Sequence, residues 1–150
     1  MAESILLKSY SVMVIMDQFS RRIIGFDVHR GDVGGEALCS MFREIVSNIP
    51  TPKYLSLDND PLYRFDRWAP ELEAMMINPI YSIPLTPISH PFVERLIGSV
   101  RREYLDRLYF WNTRDLQRKL DQFRDYFNEH RFHAGIDGNL RPRQQQVGHW

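Results

Sequence analysis

The sequence predicts a layered α/β domain, and three observations carry that prediction. Two short apolar runs near the start are joined by a polar turn, which reads as an antiparallel hairpin. Helical and strand patterns alternate after it. The last third then carries two long stripes of apolar residues at helical spacing.

The elements follow in order. Residues 4–7 form a short apolar run that could pair as a leading strand, across a turn at residues 8–10. Residues 11–16 (SVMVIM) and 23–28 (IIGFDV) are the two hairpin strands, with Asp17-Gln18-Phe19-Ser20-Arg21-Arg22 as the turn. Asp32 to Gly35 breaks the pattern. Ala37, Leu38, Met41, Phe42 and Ile45 then recur at helical steps, so a helix is expected over 35–47, ended by Asn48-Ile49-Pro50-Thr51-Pro52. Residues 54–57 read as a short buried strand that stops at Asp58. A short helix over 70–76 and an edge strand over 80–85, interrupted by prolines, come next. From Phe92 the stripe Val93, Leu96, Ile97, Val100, Tyr104 and Leu108 marks a long helix. A second helix is expected to start at Thr113 as N-cap, with Asp115 in its first turn and Leu116, Leu120, Phe123 and Phe127 as its apolar face. The domain is expected over 1–135, with an irregular Gly-, Pro- and Gln-rich tail over 136–150.

The composition is that of a globular chain. Of 150 residues, 43% are hydrophobic and 25% charged, enough for one core. No apolar run approaches the roughly 20 residues needed to span a bilayer, and residues 1–8 lack the pattern of a signal peptide. The single cysteine, Cys39, excludes an internal disulfide and a cysteine-based zinc site. A cytosolic setting fits these features. The net charge is zero but unevenly placed. Residues 1–90 hold 8 basic and 11 acidic side chains, and residues 91–150 hold 11 and 8. All the C-terminal basic residues but Lys119 are Arg, the side chain suited to bidentate phosphate contact. A solvated helical surface accounts for the same asymmetry.

Two carboxylates carry the chemistry. Asp58 stands where a buried strand runs out into Asn59-Asp60-Pro61, and a carboxylate at a strand end can project into a cleft. Glu94 stands in the first turn of the long helix, with 35 residues between the two. Phosphoryl transfer by two metal ions needs carboxylates from separate elements to hold hard cations about 3.5–4 Å apart. Mg²⁺ suits such oxygen ligands. Arg101 follows Glu94 by two helical turns, and Gly98 lies between them on that face, leaving room for a phosphate backbone. Each residue also has a bland reading. Glu94 alone is a first-turn carboxylate favoured by the helix dipole, and Asp58-Asn59-Asp60-Pro61 alone is a turn signal. Asn59 either assists a metal or caps a turn. Arg95, Arg102 and Arg107 either bind DNA phosphates or solvate the helix. For His130 and His133, helix-end packing outweighs a metal site, because no Cys pair accompanies them.

At this point the chain resembles a known family. Leu57-Asp58-Asn59 is similar to the second-carboxylate motif of retroviral integrases and bacterial insertion-sequence transposases, and Ser89-His90-Pro91-Phe92-Val93-Glu94-Arg95 to the segment carrying the third. The 35-residue gap and a basic residue seven places after the glutamate, here Arg101, are also typical. Met16-Asp17-Gln18-Phe19-Ser20-Arg21-Arg22-Ile23-Ile24-Gly25 looks like the family's hairpin. Tyr126-Phe127-Asn128-Glu129-His130-Arg131-Phe132-His133 resembles its YN-x-x-R-x-H signature. The likeness covers roughly residues 4–145. It implies a ribonuclease-H-like five-stranded mixed sheet of order 3-2-1-4-5 flanked by helices. It also implies DNA integration or transposition, with Asp58 and Glu94 as catalytic metal ligands and Arg101, Asn59, Arg95 and Arg102 toward DNA. The expected cofactor is Mg²⁺ or Mn²⁺, two ions in the intact family site. The expected partners are DNA and further copies of the chain, as a homodimer or higher oligomer, in a bacterial cytoplasm and on the nucleoid when DNA-bound.

One departure matters. The family's first carboxylate lies on the leading strand, well ahead of the hairpin aspartate, and counting back from Asp17 passes Met1. The expectation is a chain truncated within that strand, holding one ion or none, with impaired strand transfer. Asp17, Asp27 and Glu3 are the possible substitutes. Asp17 reads better as a turn residue and Asp27 as a solvated or paired one, while Glu3 lies too far along its strand. A non-catalytic DNA-binding or assembly module of the same fold is the rival reading, and a ribonuclease-H-type nuclease is a third.

Overall fold

The computed structural model describes residues 10–57, 61–81 and 91–131. β1 (Tyr10–Met16) and β2 (Ile23–Arg30) pair antiparallel, as the alternation predicts. Asp17 builds the turn between them. Its Oδ1 accepts from the Phe19 amide at 3.0 Å, and its Oδ2 accepts from the Ser20 hydroxyl at 2.6 Å. Arg21 takes the left-handed conformation that lets so short a link reverse direction (φ 57°).

The ladder carries one irregularity with a large effect. Ile15 pairs with Gly25 and Met16 with Ile23, so Ile24 is an extra, unpaired residue on β2. Such a bulge flips the alternation of side chains. Ile23 and Phe26, three apart, therefore both face the same core. Ile24 packs against the other one. Gly25 fits here because helix α1 comes close. A methyl group on it would lie 2.9 Å from Ile45 Cγ2.

α1 (Gly35–Val46) follows as expected, burying Leu38, Cys39, Met41, Phe42, Ile45 and Val46. β3 (Tyr54–Leu57) matches its expected bounds. A 3₁₀ turn, Pro61–Arg64, leads into α2 (Trp68–Ala74), which begins two residues before the expected start. Pro70 thus sits inside the first turn, where its missing N–H costs no hydrogen bond. β4 (Asn78–Tyr81) pairs parallel with β3. It starts earlier than the expected 80–85, whose last residues lie outside those described. The described strands form two ladders, β1–β2 and β3–β4. The expected leading strand at 4–7 and the tail at 136–150 also lie outside the described residues.

α3 (Pro91–Ser99) runs on through a wider π turn, Val100–Tyr104, and a 3₁₀ turn, Leu105–Arg107. The uniform long helix expected from the stripe is corrected accordingly. α4 (Thr113–Tyr126) continues into a π turn, Phe127–Arg131. Its cap is Asn112, not Thr113. The Asn112 side chain accepts from the Asp115 amide at 2.9 Å, which satisfies one of the free N–H groups of the first turn.

The two faces of β1 separate two cores. Val12, Val14 and Met16 face Leu96, Ile97, Val100, Leu116, Leu120 and Phe123 of the C-terminal helices. Met13 and Ile15 face α1, β3, Trp68 and Leu72. A hairpin buried on both sides between helical layers is the α/β architecture the sequence predicts. Leu116 and Leu120 are wholly buried, each contributing roughly 1.5–3 kcal/mol by removal from water.

Candidate metal and nucleic-acid site

β3 delivers the chain to Asp58 and ends at Leu57, which is 2% exposed. Asp58 and Asn59 themselves lie outside the described residues, so their meeting with Glu94 is carried by sequence alone. Glu94 sits in the first turn of α3, as expected, and its side chain is exposed. That face is free because Leu96, Ile97 and Val100 take the buried side of the same helix.

Several other carboxylates of the fold are engaged. Asp17 is consumed by the hairpin turn. Asp115 binds Arg118 at 2.7 Å and Lys119 at 3.1 Å, and these partners, Arg118 first, hold its carboxyl down at about 2. Asp121 and Asp125 share Arg124. Glu36 and Glu71 tie α1 and α2 through Arg67 and Arg43. Glu94 has no such ion pair among the described residues, so its oxygens are available to a hard cation. No group of three His, Cys, Asp or Glu side chains able to hold a metal forms among the described residues.

Asp27 is corrected. It is half-buried, with no cationic partner among the described residues. Burial, then the like charge of Glu44 and, more weakly, of Asp121, push its carboxyl up to about 6. It borders a cleft with Thr113, Arg114 and Gln117 at the start of α4. Glu3 lies outside the described residues. His130 behaves as the packing reading expects. Its ring stacks on Tyr126 at 4.8 Å, and its Nδ1 lies 3.2 Å from the Tyr126 carbonyl. His133 is outside the described residues.

Arg95, Arg101 and Arg102 are exposed along α3 and its π turn, and none has an ion pair among the described residues. Between Glu94 and Arg101 the helix widens into the π turn that starts at Val100. One expectation about this face changes. The space over Gly98 is not open. A methyl group there would lie 3.2 Å from Arg102 Nη1 and 3.6 Å from Nη2. Sequence reading missed this contact, although Gly98 and Arg102 stand at the four-residue spacing that signals it. The signature residue Asn128 has a structural role. Its side-chain oxygen accepts from the Ile23 amide at 2.8 Å, and its amide donates to the Ile23 carbonyl at 2.9 Å.

Residues 75–140 match the family model described as Integrase core domain. No curated protein matches the chain. Among solved structures, the chain is similar to the catalytic core domain of BIV integrase (14% identity, 99% of this chain and 86% of that one, TM-score 0.63). It is also similar to a chain of the simian T-cell lymphotropic virus intasome, solved in complex with PP2A regulatory subunit B56 gamma (17%, 92% and 53%, TM-score 0.62). A third is the HTLV-2 integrase catalytic core domain, in dimeric form with magnesium (17%, 87% and 83%, TM-score 0.60). At these identities the structures speak for the fold, which is the ribonuclease-H-like α/β fold of integrase cores. Residues 75–140 thus carry an Integrase core domain match on a chain whose fold is that of integrase catalytic cores.

Proposed function

We propose that this chain is the catalytic core of a DNA integration or transposition system, performing divalent-metal-dependent polynucleotidyl transfer. One observation carries the reading. Glu94 opens α3 with an exposed carboxylate that has no ion pair among the described residues and lies inside the matched integrase-core segment, and Asp58 directly follows the last residue of β3.

In this reading Asp58 and Glu94 hold the cation through oxygen, which suits Mg²⁺ or Mn²⁺. When bound, the metal supplies Lewis-acid activation of the phosphodiester and of the attacking water or 3′-hydroxyl. Arg101, Arg95 and Arg102 grip DNA phosphates by charge-assisted hydrogen bonds, and Asn59 contributes to the DNA contact. The domain spans 1–135. The ladders β2–β1 and β3–β4 are the 3-2 and 4-5 pairs of a 3-2-1-4-5 sheet. DNA ends, target DNA and further copies of the chain are its partners, in a bacterial cytoplasm.

The test is cleavage and strand transfer of labelled end-sequence DNA with Mg²⁺, with Mn²⁺, and with chelator. Weak, metal-dependent product that Asp58→Ala and Glu94→Gln both abolish supports the reading. Salt-sensitive DNA binding with no metal-dependent product, unchanged by either substitution, favours a non-catalytic DNA-binding module instead.

A further inference from the structure

Gly98 is a half-buried residue of α3, one turn after Glu94 and on the same face. The three atoms nearest to a methyl group placed on it all belong to the Arg102 guanidinium: Nη1 at 3.2 Å, Nη2 at 3.6 Å and Cζ at 3.7 Å. The guanidinium is thus folded back over the bare backbone of Gly98. Side chains of a helix lean toward its N-terminus, so an arginine four residues on reaches this level. The missing Cβ lets it lie close.

The consequence is electrostatic. Arg102 carries its charge one turn from Glu94, held near the helix surface instead of waving in solvent. It has no carboxylate partner among the described residues, while most cations of α4 are matched. Arg101, on the same π turn, is not among the atoms nearest the Gly98 position. A guanidinium presents a planar fork that fits two phosphate oxygens, and a pre-placed fork loses less entropy on binding.

We infer that Gly98 is a seat for Arg102, and that the seated guanidinium, more than Arg101, is the phosphate-gripping group beside Glu94. This rests on the DNA-transfer reading above and narrows it to one positioning residue and one contact residue.

The experiment is fluorescence anisotropy of a short labelled DNA duplex titrated with the 150-residue chain across a salt series, without metal. Arg102→Ala is expected to weaken binding about tenfold and to lower the salt slope by about one phosphate contact. Gly98→Leu, which takes the seat, is expected to give the same loss and the same slope. The double variant should be no worse than either single one. Gly98→Ala, whose smaller side chain only nudges the guanidinium, should fall between wild type and Gly98→Leu. Both Gly98 replacements raise helix propensity, and circular dichroism checks that the fold is kept. Arg102→Lys should not restore binding, because an ammonium lacks the fork. Wild-type affinity in Gly98→Leu, or additive losses in the double variant, overturns the seat while leaving the DNA-transfer reading intact. Absence of salt-dependent binding by the wild-type chain overturns both.

Discussion

α3 and α4 lie against the same core, yet they treat their charges in opposite ways. On α4 the charges are mostly spent internally. Asp115 holds Arg118 and Lys119, Arg124 serves Asp121 and Asp125, and Asn112 caps the first turn. Gln117 adds a hydrogen bond to the Phe26 carbonyl of β2 at 2.8 Å. On α3 and its π turn, Glu94, Arg95, Arg101 and Arg102 face solvent with no ion pair among the described residues. A charged residue that solves its own electrostatics belongs to the scaffold. One with no partner among the described residues is free to meet a ligand of opposite charge. The difference points to α3 as the working helix and to α4 as the brace that holds β2.

The largest expected effect falls on the brace. Leu120→Ala removes a wholly buried side chain from the shared core and is expected to cost about 3 kcal/mol in denaturant unfolding. A loss under about 1 kcal/mol means the core tolerates a cavity there, and the brace is then looser than the packing implies.

Asp27 sharpens the comparison at the β2–α4 boundary. Its carboxyl is raised from 3.8 to about 6 in the fold. Between those values the native state binds more protons than the unfolded one, so this group makes stability fall as pH rises from about 4 to about 6. Asp27→Asn is therefore expected to stabilise the protein at pH 7. The gain is about 1 kcal/mol after allowance for solvent screening of a half-exposed group. It should vanish below about pH 4 in thermal melts. A variant destabilised at pH 7 would mean that the charged carboxylate is the favoured form.

The smallest effects separate the helices most cleanly. Arg118→Ala breaks an exposed ion pair and is expected to cost about 0.5 kcal/mol or less, with DNA binding unchanged. Arg95→Ala is expected to leave stability unchanged within about 0.5 kcal/mol while weakening DNA binding and its salt dependence. The comparison breaks if Arg118→Ala is the variant that loses DNA in the anisotropy assay.

Much of this frame was legible in the amino acids, for local reasons. The hairpin, α1 and β3 follow from alternation and helical spacing, because each buries one face against a core. Glu94 was placed in the first turn of its helix because Leu96, Ile97 and Val100 fix which way the helix faces. The bulge at Ile24 left no local mark, since an extra residue in a run of Ile, Ile and Gly looks like more strand. The π turn after Ser99 has no composition of its own and answers to packing along the core. The fold-back of Arg102 over Gly98 was missed because a bare glycine reads as open space. Asn112 and Thr113 are both good caps, and sequence alone does not choose between neighbours of equal chemistry. The pairing of Asp58 with Glu94 remains a matter of spacing and kinship.

The Asn128 clamp has a consequence for how the molecule assembles. Its two hydrogen bonds give Ile23 the partner a neighbouring strand would otherwise supply, across 105 residues of chain. Closing so distant a contact is entropically slow, so it forms late and opens early. Deuterium uptake at the Ile23 amide therefore reads out the docking of the C-terminal helix on the hairpin, and Asn128→Ala should speed that uptake while the centre of β1 stays protected.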